Sequence, residues 1–112
     1  MTGCCQVTTA LAEEAAAAEM ADTVVAERLA ACAQVLGPVR SSYRWQGEVR
    51  SAREWLVVAK TTEARLAELT SRIRALHRYE VPEILTLSIA AGNPEYLRWI
   101  RDQTTPIPPE TR

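Results

Sequence analysis

The sequence predicts an α+β domain: two β-α-β units joined by a long β-hairpin, the split βαβ or ferredoxin-like arrangement, with a short C-terminal helix. Three observations predict it. Two segments carry apolar residues at helical spacing, and each lies between strand-forming runs. A tight-turn signal, Trp45-Gln46-Gly47-Glu48, divides two such runs in mid-chain. The second run ends in Trp55-Leu56-Val57-Val58-Ala59, apolar at both parities, so both of its faces should be covered.

The elements follow in order. Gln6-Val7-Thr8-Thr9, after Cys4 and Cys5, reads as a buried first strand. Leu11-Ala12-Glu13-Glu14 opens a helix running to Ala31, with acids in its first turn. At 100° per residue, Ala17, Ala21, Val24, Val25 and Leu29 share a sector, opposite Glu19, Asp22 and Thr23. Arg28 falls inside the apolar sector, where it either snorkels to water or pairs with an acid across an interface. Cys32 to Trp45 is the first arm of the hairpin, bent at Gly37-Pro38, and Val49 to Lys60 is the second. Thr61 or Thr62 caps the next helix, whose stripe is Leu66, Leu69, Ile73 and Leu76. Glu83 to Ile89 is the last strand, with Leu85, Leu87 and Ile89 expected to face the helices. Asn93-Pro94-Glu95 caps a final helix through Tyr96, Leu97, Trp99 and Ile100. Residues 1–103 form the domain, and 104–112 read as a Pro-rich mobile tail.

Right-handed crossovers put both long helices on one side of the sheet, leaving the other side bare. An apolar sheet face of that size marks an association surface, so the sequence predicts an oligomer whose hairpins reach over neighbouring subunits.

Bulk properties exclude several classes. The 112 residues carry a net charge of -1, which offers no basic field to nucleic acid or an anionic membrane. No run is long enough to cross a bilayer. Met1-Thr2-Gly3-Cys4-Cys5 lacks the basic and apolar parts of a signal peptide, so a cytoplasmic location is expected. Three cysteines, Cys4, Cys5 and Cys32, two of them adjacent, argue against a disulfide framework. Neither a C-x-x-C nor an H-x-x-x-H spacing occurs, which speaks against a closed zinc site within one chain.

The densest polar stretch is Leu76-His77-Arg78-Tyr79-Glu80-Val81-Pro82-Glu83-Ile84, which holds the single histidine. Pro82 stiffens it and holds Val81 extended. Its polar groups either cap the helix and start the strand or form a site. His77, Tyr79, Glu80 and Glu83 are acid-base residue types, but no nucleophile-base signature or phosphate-cradling loop accompanies them, so no enzyme is predicted.

Five motifs occur in register. They are Glu27-Arg28-Leu29-Ala30-Ala31-Cys32, Ser42-Tyr43-Arg44-Trp45-Gln46-Gly47-Glu48, Lys60-Thr61-Thr62, His77-Arg78-Tyr79-Glu80-Val81-Pro82-Glu83-Ile84, and Gly92-Asn93-Pro94-Glu95-Tyr96-Leu97. Together, across residues 4–102, they resemble the CutA family, the divalent-cation-tolerance proteins. Two departures stand out. Cys32-Ala33-Gln34 replaces the family's Cys-Val-Asn, and His77-Arg78-Tyr79 replaces its His-Pro-Tyr.

The resemblance implies a ferredoxin-like subunit, a homotrimer and a role in tolerance of copper and other divalent cations. Cys32 and His77 match positions tied to copper, with Glu83 as a further oxygen ligand; thiolate and imidazole suit that metal. One chain offers too few ligands for a closed site, so such a site is open or shared between subunits. The resemblance also places Trp45, Lys60, His77, Tyr79 and Glu83 in an inter-subunit cleft. The alternative reading is therefore a signalling trimer of PII-like shape, with Lys60 holding a small anionic ligand and Trp45 and Tyr79 stacking its ring. In the competing structural reading Lys60 and Glu83 are an interface ion pair and Trp45 is trimer core. A further partner, a protein engaging the tail, is the remaining option.

Overall fold

The computed structural model describes residues 2–107. It is an α+β fold with a four-stranded antiparallel sheet and three helices. The strands are β1 (Cys4–Leu11), β2 (Cys32–Trp45), β3 (Glu48–Thr62) and β4 (Ile84–Ser88). The helices are α1 (Glu14–Ala26), α2 (Glu63–Leu76) and α3 (Pro94–Thr104). The sheet order is β2-β3-β1-β4, with α1 and α2 crossing between strands.

The turn residues set the hairpin. Gln46 and Gly47 both take positive φ, 50° and 78°, the two-residue geometry that matches strand twist. Trp45 therefore sits opposite Glu48, and the register carries Tyr43 opposite Arg50 and Val39 opposite Glu54. The expected bend appears as a register shift between Leu36 and Val39, around a cis Gly37-Pro38 bond. β1 pairs with β3 only as far as Leu11 opposite Trp55, so the hairpin projects beyond the four-stranded body.

The core lies between the sheet and the first two helices. Val7 and Leu11 from β1, Val57 and Ala59 from β3, Ala17, Met20, Ala21 and Val24 from α1, and Leu69 and Ile73 from α2 form one buried cluster. Leu66 and Leu76 pack against it, completing the expected α2 stripe.

Helix α1 departs from its predicted limits at both ends. Leu11 stays in the ladder opposite Trp55, so the helix begins at Glu14. It stops at Ala26 because Arg28 turns left-handed at φ 60° and the N–H groups of Leu29 and Ala30 both fold back to the Val24 carbonyl. Within the chain, Arg28 meets carbonyls rather than an acid. Its Nε donates to the Thr105 carbonyl at 2.9 Å and a terminal nitrogen donates to the Asp102 carbonyl at 3.0 Å, a cation on the C-terminal end of α3. Val25 is exposed, while Met20, outside the predicted sector, is buried.

Two further expectations are corrected. Thr9 pairs with Ile84 and Val7 with Thr86, so Ile84, not Leu85, shares the core face. Leu85 and Leu87 point to the opposite side and are 60% and 61% exposed. That opposite side is not bare, because α3 lies on part of it. Leu97 and Ile100 pack there with Cys4, Ala31 and Ile89. The α3 cap is as the sequence predicts: Asn93 Oδ1 accepts from the Glu95 N–H at 3.1 Å, with Pro94 in the first turn. At α2 the N-cap is Thr62, one of the two threonines expected, though its side chain makes no cap bond, and Thr61 donates to the Leu29 carbonyl at 2.6 Å. Thr104, assigned to the tail by sequence, is the buried last residue of α3, and residues 108–112 of that tail lie outside the described residues.

Candidate functional site

The segment after α2 folds back on the sheet through His77. Its Nε2 lies 3.1 Å from Thr9 Oγ1, and its Nδ1 accepts the Tyr79 N–H at 3.3 Å. An accepting Nδ1 makes Nε2 the protonated nitrogen of a neutral ring. Burial, set against smaller opposing effects from the Ala10 backbone and Glu54, holds the ring below its ordinary pKa of 6.5, so it is neutral at pH 7. Both nitrogens are thus engaged within the chain, and His77 acts as the anchor of the turn.

That anchor aims Tyr79. The two rings sit 5.0 Å apart, tilted, and the Tyr79 hydroxyl donates to Glu54 Oε2 at 2.9 Å. Burial, then the hydrogen bond and charge of Glu54, then Tyr43, push the phenol up to about 12, so Tyr79 keeps its proton and remains the donor. Tyr79 and Glu54 close one wall of an open cavity of about 580 Å³ between the projecting hairpin and the 79–83 segment. Of the predicted cleft residues, Trp45, Tyr79 and Glu83 line it. His77 lines a different and smaller cavity, about 290 Å³, between the start of α1 and the end of α2.

Lys60 is elsewhere. It donates to Gln34 Oε1 at 2.7 Å on β2 and lines neither cavity. Within one chain Trp45, Tyr79 and Glu83 line the larger cavity, Tyr79 also reaches the smaller one beside His77, and Lys60 stands apart.

The predicted metal pair also separates. Cys32 stands opposite Lys60 on β2, with its Sγ 3.5 Å from the Tyr96 hydroxyl on α3. It is on the α3 side of the sheet, whereas His77 meets Thr9 on the α1 and α2 side. No single ion can bridge them within one chain. Among the described residues no group of three or more His, Cys, Asp or Glu side chains is gathered to hold a metal. Cys4 and Cys5 are buried and Cys32 is only half-buried. The Tyr96 hydroxyl is pushed up to about 12, first by its bond to Cys32 and then by burial, so it keeps its proton beside the thiol.

Sequence reasoning missed Glu54, Tyr43 and Arg50, which line the larger cavity. A signal for them existed. The two-residue turn fixes the hairpin register, and that register alone places Tyr43 opposite Arg50.

Comparison with known proteins gives a consistent result. The family model described as CutA1 divalent ion tolerance protein matches residues 5–103. A Divalent-cation tolerance protein CutA from Thermus thermophilus is 48% identical over 91 residues, covering 81% of this chain and 88% of that protein. A solved structure of the Thermus thermophilus protein superimposes with a TM-score of 0.88 at 44% identity, over 91% of this chain and 99% of the other. A chloroplastic CutA from Arabidopsis thaliana is 38% identical over 86 residues, 77% of this chain but only 47% of its own length, so the chain spans about half of that longer relative. A structure described as a periplasmic divalent cation tolerance protein CutA, from Archaeoglobus fulgidus, superimposes with a TM-score of 0.87 at 26% identity, over 91% of this chain and 99% of the other. The last two correct the expected cytoplasmic location: similar proteins are described as chloroplastic and as periplasmic, so this kind of sequence does not carry that assignment.

Proposed function

Because this chain belongs to the CutA1 divalent ion tolerance family, we propose that it serves tolerance of divalent cations, copper foremost, by binding rather than catalysis, as a homotrimer of ferredoxin-like subunits. The half-buried thiol of Cys32 carries this reading. It is the one cysteine of the three not sealed in the core, and thiolate is a preferred ligand for copper. His77 does not join it, since both its ring nitrogens are engaged and it lies across the sheet. The remaining ligands come from a neighbouring subunit, since Cys32 is the one accessible thiol among the described residues.

Exposed apolar residues support the assembly. Leu36, Leu85 and Leu87 stand 48%, 60% and 61% exposed, more than isolated side chains on a monomer need. Native mass spectrometry of the reduced protein with copper added tests both parts at once. Three chains with retained copper are expected from the parent and from His77→Ala, and three chains without it from Cys32→Ala. Copper retained equally by Cys32→Ala removes the thiol from the account, and a single-chain mass removes the trimer.

A further inference from the structure

Within one subunit, the cavity between the hairpin and the 79–83 segment is aromatic and acidic in its lining. Lys60 of the same chain lies outside it, bonded to Gln34. Its lining residues include the aromatics Tyr43, Trp45 and Tyr79 and the acids Glu54, Glu80 and Glu83. One cation, Arg50, also reaches it, but its guanidinium is 3.5 Å from the carboxylate of Glu48, an acid outside the cavity. The lining thus carries three acids against one already partnered base. Its volume, about 580 Å³, falls within the range of small-molecule sites.

We propose that this cavity binds a small organic cation, a primary amine or guanidinium carried on an apolar or aromatic body. Aromatic faces attract such cations through their negative π clouds, and a carboxylate completes the recognition by accepting N–H bonds. Glu54 is placed to do so. Its Oε2 is held by the Tyr79 hydroxyl at 2.9 Å, and Oε1 has no partner among the described residues. The Tyr79 ring is positioned in turn by the backbone bond to His77 Nδ1. The carboxylate is therefore oriented before any ligand arrives, which removes part of the ordering cost of binding. An anionic ligand of the same shape meets net repulsion from three acids. The charge balance, not the size of the cavity, sets the ligand class.

The test uses a matched pair of probes on the full-length protein in its native assembly. Tyramine and 3-(4-hydroxyphenyl)propionate share a ring and differ in the sign of the terminal charge. Titration calorimetry, with tryptophan fluorescence as a second signal, reads both. Tyramine is expected to bind tighter than the acid by on the order of tenfold or more. Glu54→Gln, which keeps an acceptor for Tyr79, should remove most of that preference. Glu83→Gln and Trp45→Leu, at an exposed position and on the projecting hairpin, give the same reading should Glu54→Gln fold poorly. Cys32→Ala, whose residue lies outside the cavity, should bind tyramine like the parent, so failure of the copper reading leaves this one standing. Binding of the acid as tightly as the amine, binding of neither, or an amine preference unchanged in all three cavity variants overturns the proposal.

Discussion

The indole of Trp55 fills the space that a side chain on Gly37 would need. A Cβ at Gly37 would lie 2.8 Å from Trp55 Cγ and closer still to Cδ1. Gly37 sits where β2 shifts register, and Trp55 packs against the main core from β3. The bend in one arm of the hairpin is therefore shaped to the ring on the other. Gly37→Ala should cost about 1–3 kcal/mol in a denaturant titration at fixed protein concentration, the usual penalty for overfilling a packed site. Paired with Trp55→Val, the loss should be smaller than the sum of the two single variants. Strict additivity would show that this contact is not what requires the glycine.

Much of this arrangement was legible beforehand, and the misses have a common physical form. The turn at Gln46-Gly47, the α2 stripe and the Asn93 cap are local rules, and the structure obeys each. What failed were decisions that depend on a partner. Ile84 and Leu85 are both apolar, so β4 has no internal sign of which parity faces the core; only its pairing with Thr9 and Val7 settles it. The alanine-rich helix had no local reason to stop at Ala26, because what turns Arg28 aside is a pair of carbonyls on α3, more than 70 residues away. The candidate residues lie apart within one chain for the same reason. Motifs name residues that matter, but the face of the sheet each one occupies depends on pairing between strands.

Arg28 supports a prediction of its own. A non-glycine residue at φ 60° costs about 1–2 kcal/mol, and here the side chain repays it by gripping the end of α3. Arg28→Ala keeps the strained backbone and loses the grip, so it should be the less stable variant. Arg28→Gly loses the grip but relieves the strain, and should exceed Arg28→Ala by roughly 1 kcal/mol. In both, amide hydrogen exchange in the last turn of α3 should quicken. Unchanged exchange there would mean the two carbonyl contacts do not hold the helix.

His77 predicts a pH dependence with a definite sign. Burial lowers its folded pKa below 6.5, so the unfolded chain binds the proton first as pH falls. The stabilising contribution of the neutral ring is complete above the unfolded value of 6.5 and is lost as pH drops through the lower folded value. Protonation also turns Nδ1 into a donor, which breaks its bond from the Tyr79 N–H. His77→Gln can still donate to Thr9 but does not titrate. The stability difference between parent and His77→Gln should therefore shrink on acidification from about pH 7.5 towards pH 5.5. A difference that stays constant over this range, or grows towards acid, would contradict the buried neutral ring.

The exposed pair on β4 gives the most direct check of assembly. Leu85 and Leu87 lie two residues apart, so they project from the same face, opposite the core position of Ile84. Side chains left 60% and 61% exposed in one subunit are what a neighbouring subunit would cover. Glutamate at both positions places two like charges in that contact without touching the core, so each subunit should still fold. Light scattering should then report one chain for Leu85→Glu/Leu87→Glu, against the three expected of the parent. Val25→Glu, on the exposed side of α1, serves as the control and should leave the parent mass unchanged. Dissociation of the control as well would indicate general destabilisation, whereas a double variant that remains at three chains would place the interface away from β4.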